Sequence, residues 1–180
     1  MGMGEDSYRR YLDGDESAFS ELVELYFEEL ILFANGYLHD IRLAEEAALD
    51  ALLELMIHPE RFKFRSSLKT YLFSIARHKA LNAVRKRKRL REVPLEAAAG
   101  IGKDRLIDDV IAQERRRVLM RALAELPEEQ RAAVQLVYIE EMSYAEAGRV
   151  LKKSRKQIDN LLRRAKRELK IRLGEDRYDL

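Results

Sequence analysis

Between Arg61 and Tyr71 three aromatic residues, Phe62, Phe64 and Tyr71, stand among Arg61, Lys63, Arg65 and Lys69, with Ser66, Ser67 and Thr70 beside them. Rings among cations suit an unpaired nucleic-acid strand, because bases stack on the rings while phosphates follow the positive charge. A base turned out of its stack needs a small pocket with polar groups, and a loop ahead of a helix can supply one. Tyr71 and Phe64 fit an ordinary apolar core equally well, so the residues alone leave both readings open.

A second group begins at Ser154 and comprises Ser154, Arg155, Lys156, Gln157, Asp159, Asn160, Arg163, Arg164 and Lys166. On one helix these residues could meet duplex DNA: Gln and Asn read adenine edges, Arg reads guanine, and the helix start cradles a phosphate. Lys and Arg add affinity that falls with salt and ignores sequence. Asp159 and Asn160 would choose a base rather than add charge. The plainer alternative is a solvated amphipathic helix.

The net charge of +2 conceals segregation. Residues 1–60 hold three Lys/Arg against fifteen Asp/Glu, 61–91 hold twelve and no acid, and 149–172 hold eleven against two. Two basic stretches on separate helices point to a polyanion. In the acidic part, Glu45, Glu46, Asp50 and Glu54 lie beside small alanines, a face that suits a basic protein partner.

Catalysis finds no support. His39, His58 and His78 lack metal-ligand spacing, no glycine-rich phosphate loop or nucleophile–base motif occurs, and the carboxylates fall on helix surfaces. No enzyme activity, metal or cofactor is expected. Cysteine is absent, which excludes disulfides and thiol chemistry and suits a reducing cytoplasm, the expected location. No apolar run approaches the roughly 20 residues of a membrane span.

The elements that must position these groups are helices. Glycine and proline are scarce, at 8 and 3, leaving little material for hairpins. Apolar spacing predicts a helix from about Glu16 to Leu38 after the capping stretch Asp13–Gly14–Asp15. Asp40 caps a second helix to about Ile57, which Pro59 stops, and Ser67 caps a third from Leu68 to about Arg91. Leu68, Tyr71, Leu72, Ile75, Ala76 and Ala80 are expected to face inward on that third helix. Residues 93–104, with Pro94, Gly100 and Gly102, read as a flexible linker between a domain over 1–92 and another over 105–180. Periodicity resumes at Leu106, Ile107, Val110 and Ile111, and Pro127 suits the first turn of a further helix. Ser143-x-x-Glu146 and Ser154-x-x-Gln157 each have the form of a capping box. They predict a short helix, Tyr144 to Leu151, a tight turn and a longer basic helix. That is a helix-turn-helix. The expected fold is all-α, two small helical domains joined by a flexible linker, the second a helix-turn-helix.

With these residues in view, the chain resembles bacterial RNA polymerase sigma factors of the extracytoplasmic-function (ECF) subfamily over nearly its whole length. The resemblance is carried by Asp15, Ala18–Phe19, Leu22 and Tyr26, by Asp40-Ile-Arg-Leu-Ala-Glu-Glu, and by Ser67-Leu-Lys-Thr-Tyr-Leu-Phe-Ser-Ile-Ala-Arg with Arg85 beyond. In the second domain it is carried by Leu126–Pro127, Arg131, Met142-Ser-Tyr-Ala-Glu-Ala and Ser154 through Arg164-Ala-Lys. Departures are local. Leu49, Asp50 and Leu52 replace the usual Gln, Glu and aromatic, Tyr71 the usual Trp, His78 the usual Asn and Asn82 the usual Asp. In the last helix Gln157, Asp159 and Leu161 stand where Thr, Lys and Arg are common.

The resemblance implies a division of labour and a monomer when free. The core polymerase would be met at the clamp helices of its largest subunit by Asp40, Glu45, Glu46, Leu49, Asp50 and Leu52, and also at its flap. The minus-ten element would be melted and read as single-stranded promoter DNA by Arg61, Phe64, Arg65, Ser66, Ser67, Lys69, Thr70, Tyr71, Arg77, Asn82 and Arg85. The helix after Ser154 would read the minus-thirty-five element as duplex promoter DNA, and the linker would thread toward the polymerase active-site channel. An anti-sigma factor is a further partner of such proteins. Two rivals stay open at this level: a sigma-like module that only sequesters an anti-sigma factor, and a dimeric helix-turn-helix repressor.

Overall fold

The computed structural model describes residues 2–90 and 118–173, and the chain divides into two compact units. Helix α1, Met3–Leu12, opens the first. Glu5 and Asp6 in its first turn and Arg9 and Arg10 in its last complement the helix dipole. Gly14 then takes φ +103°, a turn open to glycine, and the Asp15 carboxylate accepts from the Ser17 amide at 3.1 Å. Helix α2 follows over Ser17–Leu38, one residue inside the expected start. His39 at φ 50° ends it.

Helix α3, Ile41–Ile57, starts as the sequence implies: Asp40 accepts from the Leu43 amide at 3.2 Å. It gives way at His58 to a 3-10 turn, Pro59–Arg61. Helix α4, Leu68–Leu90, has two caps. The Ser67 hydroxyl accepts from the Thr70 amide at 3.2 Å, and the Glu5 carboxylate of α1 accepts from the Leu68 amide at 2.6 Å.

Helices α2, α3 and α4 pack on one another and α1 lies mainly against α2. The alanine stripe of α3, Ala44, Ala47, Ala48 and Ala51, is buried, and small side chains there let the helices approach closely. Leu22, Leu30, Phe33, Leu55 and Leu72 fill the space around it. Along α4, Leu68, Leu72, Ala76 and Ala80 are buried as expected, whereas Tyr71 and Ile75 are only half-buried. Phe73, absent from the expected stripe, is fully buried against Phe33.

Residues 118–173 hold α5, described over 118–124, then α6, Glu128–Val134, a π-helical turn Gln135–Ile139, α7, Tyr144–Leu151, and α8, Arg155–Leu173. Pro127 sits one position before the first turn of α6, not in it, and its carbonyl accepts from the Arg131 amide at 3.0 Å. Arg131 also reaches back to the Ala124 carbonyl at 2.8 Å, tying the end of α5 to α6. Both capping boxes are reciprocal. Ser143 N–H donates to Glu146 at 3.0 Å and Glu146 N–H returns to the Ser143 hydroxyl at 3.3 Å. Between α7 and α8 the chain turns at Lys152, φ 57°, and the Lys153 amide donates to the Gly148 carbonyl at 2.8 Å, closing the helix end. Ala147, Val150, Leu151, Ile158, Leu162, Ala165 and Leu169 are buried, while Tyr144, also expected inside, is half-exposed.

The expected linker 93–104, the periodic positions 106–111 and the tail 174–180 lie outside the described residues. Among the described residues no helix is long and apolar enough to cross a membrane.

Candidate nucleic-acid interface

Four rings cluster at the loop between the 3-10 turn and α4: Phe62 and Phe64 of the loop, Tyr71 of α4 and Tyr8 of α1. Phe62 is buried, 5.0 Å from Tyr71 and 4.7 Å from Phe64, ring centre to ring centre, and 5.8 Å from Tyr8 of α1. Phe64 is 40% exposed at the edge of the cluster and has φ 53°, a backbone region that bulky residues seldom enter. The core position falls to Phe62, and neither Phe64 nor Tyr71, the two rings that fitted a core in the sequence, is fully buried. Phe62 is core; Phe64 is presented to solvent, and Tyr71 is half-buried against Phe62. Burial, with Glu54 adding to it, pushes the Tyr71 hydroxyl above its ordinary range, so it stays a neutral donor at physiological pH.

The cations divide in two. Arg61 pairs with Glu54 of α3, and Lys69 pairs with Glu29 of α2 at 3.1 Å. Lys63 and Arg65 are exposed, with no acid partner among the described residues. Farther along α4, Asn82 bonds His78 at 3.2 Å and accepts weakly from Arg85 at 3.4 Å, an exposed polar stripe. Arg77 is half-buried and its Nε is without a hydrogen-bond partner.

Thr70 does not belong on this surface. It is 2% exposed and its hydroxyl is bonded to Ser67 at 2.7 Å, so it completes the helix cap and meets no strand directly. Ser66 and Ser67 are half-exposed at the mouth of the loop.

On α3 the exposed face carries Glu45, Glu46, Leu49 and Asp50, with Ile41 and Ile57 at its ends. Glu46 pairs with Arg42 at 2.8 Å and Asp50 with Lys79 at 3.4 Å. Exposed apolar side chains among acids suit a protein partner. Leu52 is the correction here: at 1% exposure it faces the core, three residues round the helix from Leu49, and cannot itself touch a partner. Asp40 is spent in part on the cap of α3.

Helix α8 presents Arg155, Lys156, Gln157, Arg163, Arg164 and Lys166 to solvent. Gln157 is less free than expected, because its carbonyl oxygen accepts from the Ser154 amide at 2.8 Å. Reading adenine takes both ends of the side-chain amide, and one end is already engaged in the cap. Asn160 accepts from Arg163, and Asp159 pairs with Arg163 at 3.4 Å, so these three form one network. Arg155, Lys156 and Arg164 have no acid partner among the described residues.

Two features went unseen in the sequence. Helix α1 contributes Tyr8 and Arg9 to the ring cluster; its acidic-then-basic order was the available signal. The π-helical turn exposes Tyr138 and Ile139, and nothing local announces it.

A ring-bearing basic loop and a basic helix-turn-helix, each on its own run of helices, agree with the sigma-70 class of protein, which the family comparison shows directly. Residues 22–90 match sigma-70 region 2, and residues 116–169 match sigma-70 region 4. The chain is 31% identical over 146 residues to the ECF RNA polymerase sigma factor SigF of Caulobacter vibrioides, covering 77% of this chain and 76% of that one. It is 26% identical over 150 residues to the ECF sigma factor SigM of Bacillus subtilis, covering 83% and 91%. Its fold is similar to that of the sigma factor RpoE from Bartonella quintana, solved in complex with the anti-sigma factor NepR. There the TM-score is 0.73 at 24% identity, over 88% of this chain and 98% of that one. The chain belongs to the ECF family of RNA polymerase sigma factors: it binds RNA polymerase and directs promoter recognition and transcription initiation.

Proposed function

We propose that three surfaces share this work. The exposed face of α3, with Glu45, Glu46, Leu49 and Asp50, docks on the clamp helices of the polymerase largest subunit, while the unit over 118–173 also meets the flap. The loop before α4 opens the minus-ten element and captures an unpaired base at Phe64 and Tyr71. Arg61, Arg65, Ser66, Ser67, Lys69, Arg77, Asn82 and Arg85 track the strand. The outer face of α8, led by Arg155, Lys156, Arg163, Arg164 and Lys166, reads the minus-thirty-five duplex. An anti-sigma factor would hold the protein idle by covering the polymerase-binding face.

The observation that carries this reading is Phe64, an apolar ring held at the surface in a left-handed backbone conformation and flanked by uncommitted cations. A ring kept exposed at a conformational cost has a use outside the core. Stacking of an unpaired base on such a ring is worth about 1–3 kcal/mol, enough to offset part of the cost of opening a duplex.

The test is reconstituted transcription from a genomic-fragment library, using the purified chain with bacterial core polymerase and sequencing the transcript starts. Starts sharing a two-part upstream motif are expected. Phe64→Ala should keep core binding and closed complexes but lose strand opening, read by permanganate reactivity of unpaired thymines. Unchanged opening in that variant would remove the loop from the mechanism.

A further inference from the structure

Arg9 and Arg10 are neighbours on α1 with opposite situations. Arg10 is consumed within the domain, pairing with Asp15 at 3.1 Å and with Glu21. Arg9 is exposed and has no acid partner among the described residues. Its guanidinium carbon instead lies 4.9 Å from the centre of the Phe64 ring.

The rest of α1 is fastened to the same loop. Tyr8 is fully buried, with its hydroxyl donating to the Leu55 carbonyl at 3.2 Å and its ring 6.2 Å from Phe64. One turn earlier the Glu5 carboxylate holds the Leu68 amide at 2.6 Å, just past the loop's far end. The segment 62–67, with Phe64 at φ 53°, is therefore contacted by one helix near both its ends. Tyr8 and Phe62 back the Phe64 ring. A cation over an exposed phenylalanine is weakly held, so it can turn to a phosphate without dismantling the fold.

We infer that α1 completes the strand-reading site, with Arg9 the cation that meets a phosphate of the unpaired strand at the mouth of the ring cluster. The inference rests on the proposed strand reading by the 61–71 loop and adds to it a residue from a separate part of the chain. Arg61 and Lys69 already carry acid partners, so Arg9 joins Lys63 and Arg65 as the charges at this mouth with no acid partner among the described residues.

The experiment uses holoenzyme assembled from the full chain and core polymerase. The probe is a promoter fragment recovered in the transcription assay, carrying a preformed unpaired segment over its minus-ten element. Affinity is measured against salt for Arg9→Ala, Arg9→Lys and Phe64→Ala. Losing one contact to a single strand should lower the salt slope by about 0.7, or about fivefold in affinity at 0.1 M salt, and lysine should restore both. Normal affinity and slope in Arg9→Ala, with Phe64→Ala weakened, would overturn the inference and leave the loop's role standing. Lysine behaving like alanine would also overturn it, since a phosphate contact needs only the charge. If Phe64→Ala and Arg9→Ala both bind normally, the strand reading fails and takes the inference with it.

Discussion

Ser154 and Gln157 cap each other: the Ser154 amide donates to the Gln157 carbonyl oxygen at 2.8 Å, and the Gln157 amide returns to the Ser154 hydroxyl at 3.3 Å. The start of α8 is thereby built from two residues that would otherwise be taken for readers. Ser154→Ala should destabilise the α8 start by about 1 kcal/mol, seen as faster hydrogen exchange of its first-turn amides. Gln157→Glu preserves the box and suits the helix dipole, so protection there should be retained. Its added negative charge should nonetheless weaken binding to duplex minus-thirty-five DNA. Full duplex affinity in Gln157→Glu would mean that this end of α8 does not approach DNA.

Leu49 and Leu52 lie on the same helix with opposite fates, 50% and 1% exposed. Truncating the buried residue removes packing and leaves a cavity, so Leu52→Ala should cost about 2–5 kcal/mol of stability by denaturant titration. Leu49→Ala should leave stability within about 0.5 kcal/mol. It should lower core-polymerase affinity roughly tenfold, the scale of one apolar interface anchor. Unaltered core affinity in Leu49→Ala would move the docking surface off α3.

Gly148 is required by the turn that joins α7 to α8. A Cβ there would stand 2.6 Å from the Lys153 carbonyl oxygen, a backbone atom that cannot swing aside. Gly148→Ala must push the two helices apart and should cost about 1–3 kcal/mol, the range for an inserted methyl in a packed site. Hydrogen exchange should show the loss in α7 and α8, with α2 to α4 unaffected. Wild-type protection in α7 would show that the turn can relax.

What the sequence carried best was whatever is local. The boxes at Ser143 and Ser154, the Asp40 and Ser67 caps and the helix-turn-helix register are set within three or four residues, and each formed where the spacing placed it. Readings that depend on which way a helix face turns fared worse. Thr70 looks like a surface group in a motif, yet helix packing turns it inward, and Leu52, on the apolar stripe of α3, was expected to meet the polymerase although that stripe is the buried one. Helix α1 escaped notice because Gly4, Ser7 and several charges interrupt its apolar spacing. Gly4 is small because Tyr26 of α2 lies directly against it, a constraint visible only once the helices meet. The double role of Gln157 was hidden for another reason: capping and base reading ask for the same side chain.

The docking of α1 should be the acid-sensitive part of the first unit. The Arg10 hydrogen bond, with a second from the Ser7 hydroxyl at 2.6 Å, holds the Glu21 carboxyl below its ordinary value of 4.5. The Ser17 hydroxyl, then Arg10, holds Asp15 below 3.8. Groups whose folded pKa is depressed stabilise above their unfolded values, and that contribution is lost as pH falls through the folded ones. Their support is complete at neutral pH, begins to fade as pH approaches the ordinary carboxylate range, and is gone below the depressed values. The Asp15 and Glu21 side chains are 40% and 44% exposed, which screens both pairs, so the effect should loosen α1 without unfolding α2 to α4. Hydrogen exchange, corrected for its intrinsic pH dependence, should show the amides of 5–12 losing protection at a higher pH than those of α2. Glu21→Gln should bring much of that loosening to neutral pH. Simultaneous loss in α1 and α2 would mean that the Arg10 cluster does not hold the helix in place.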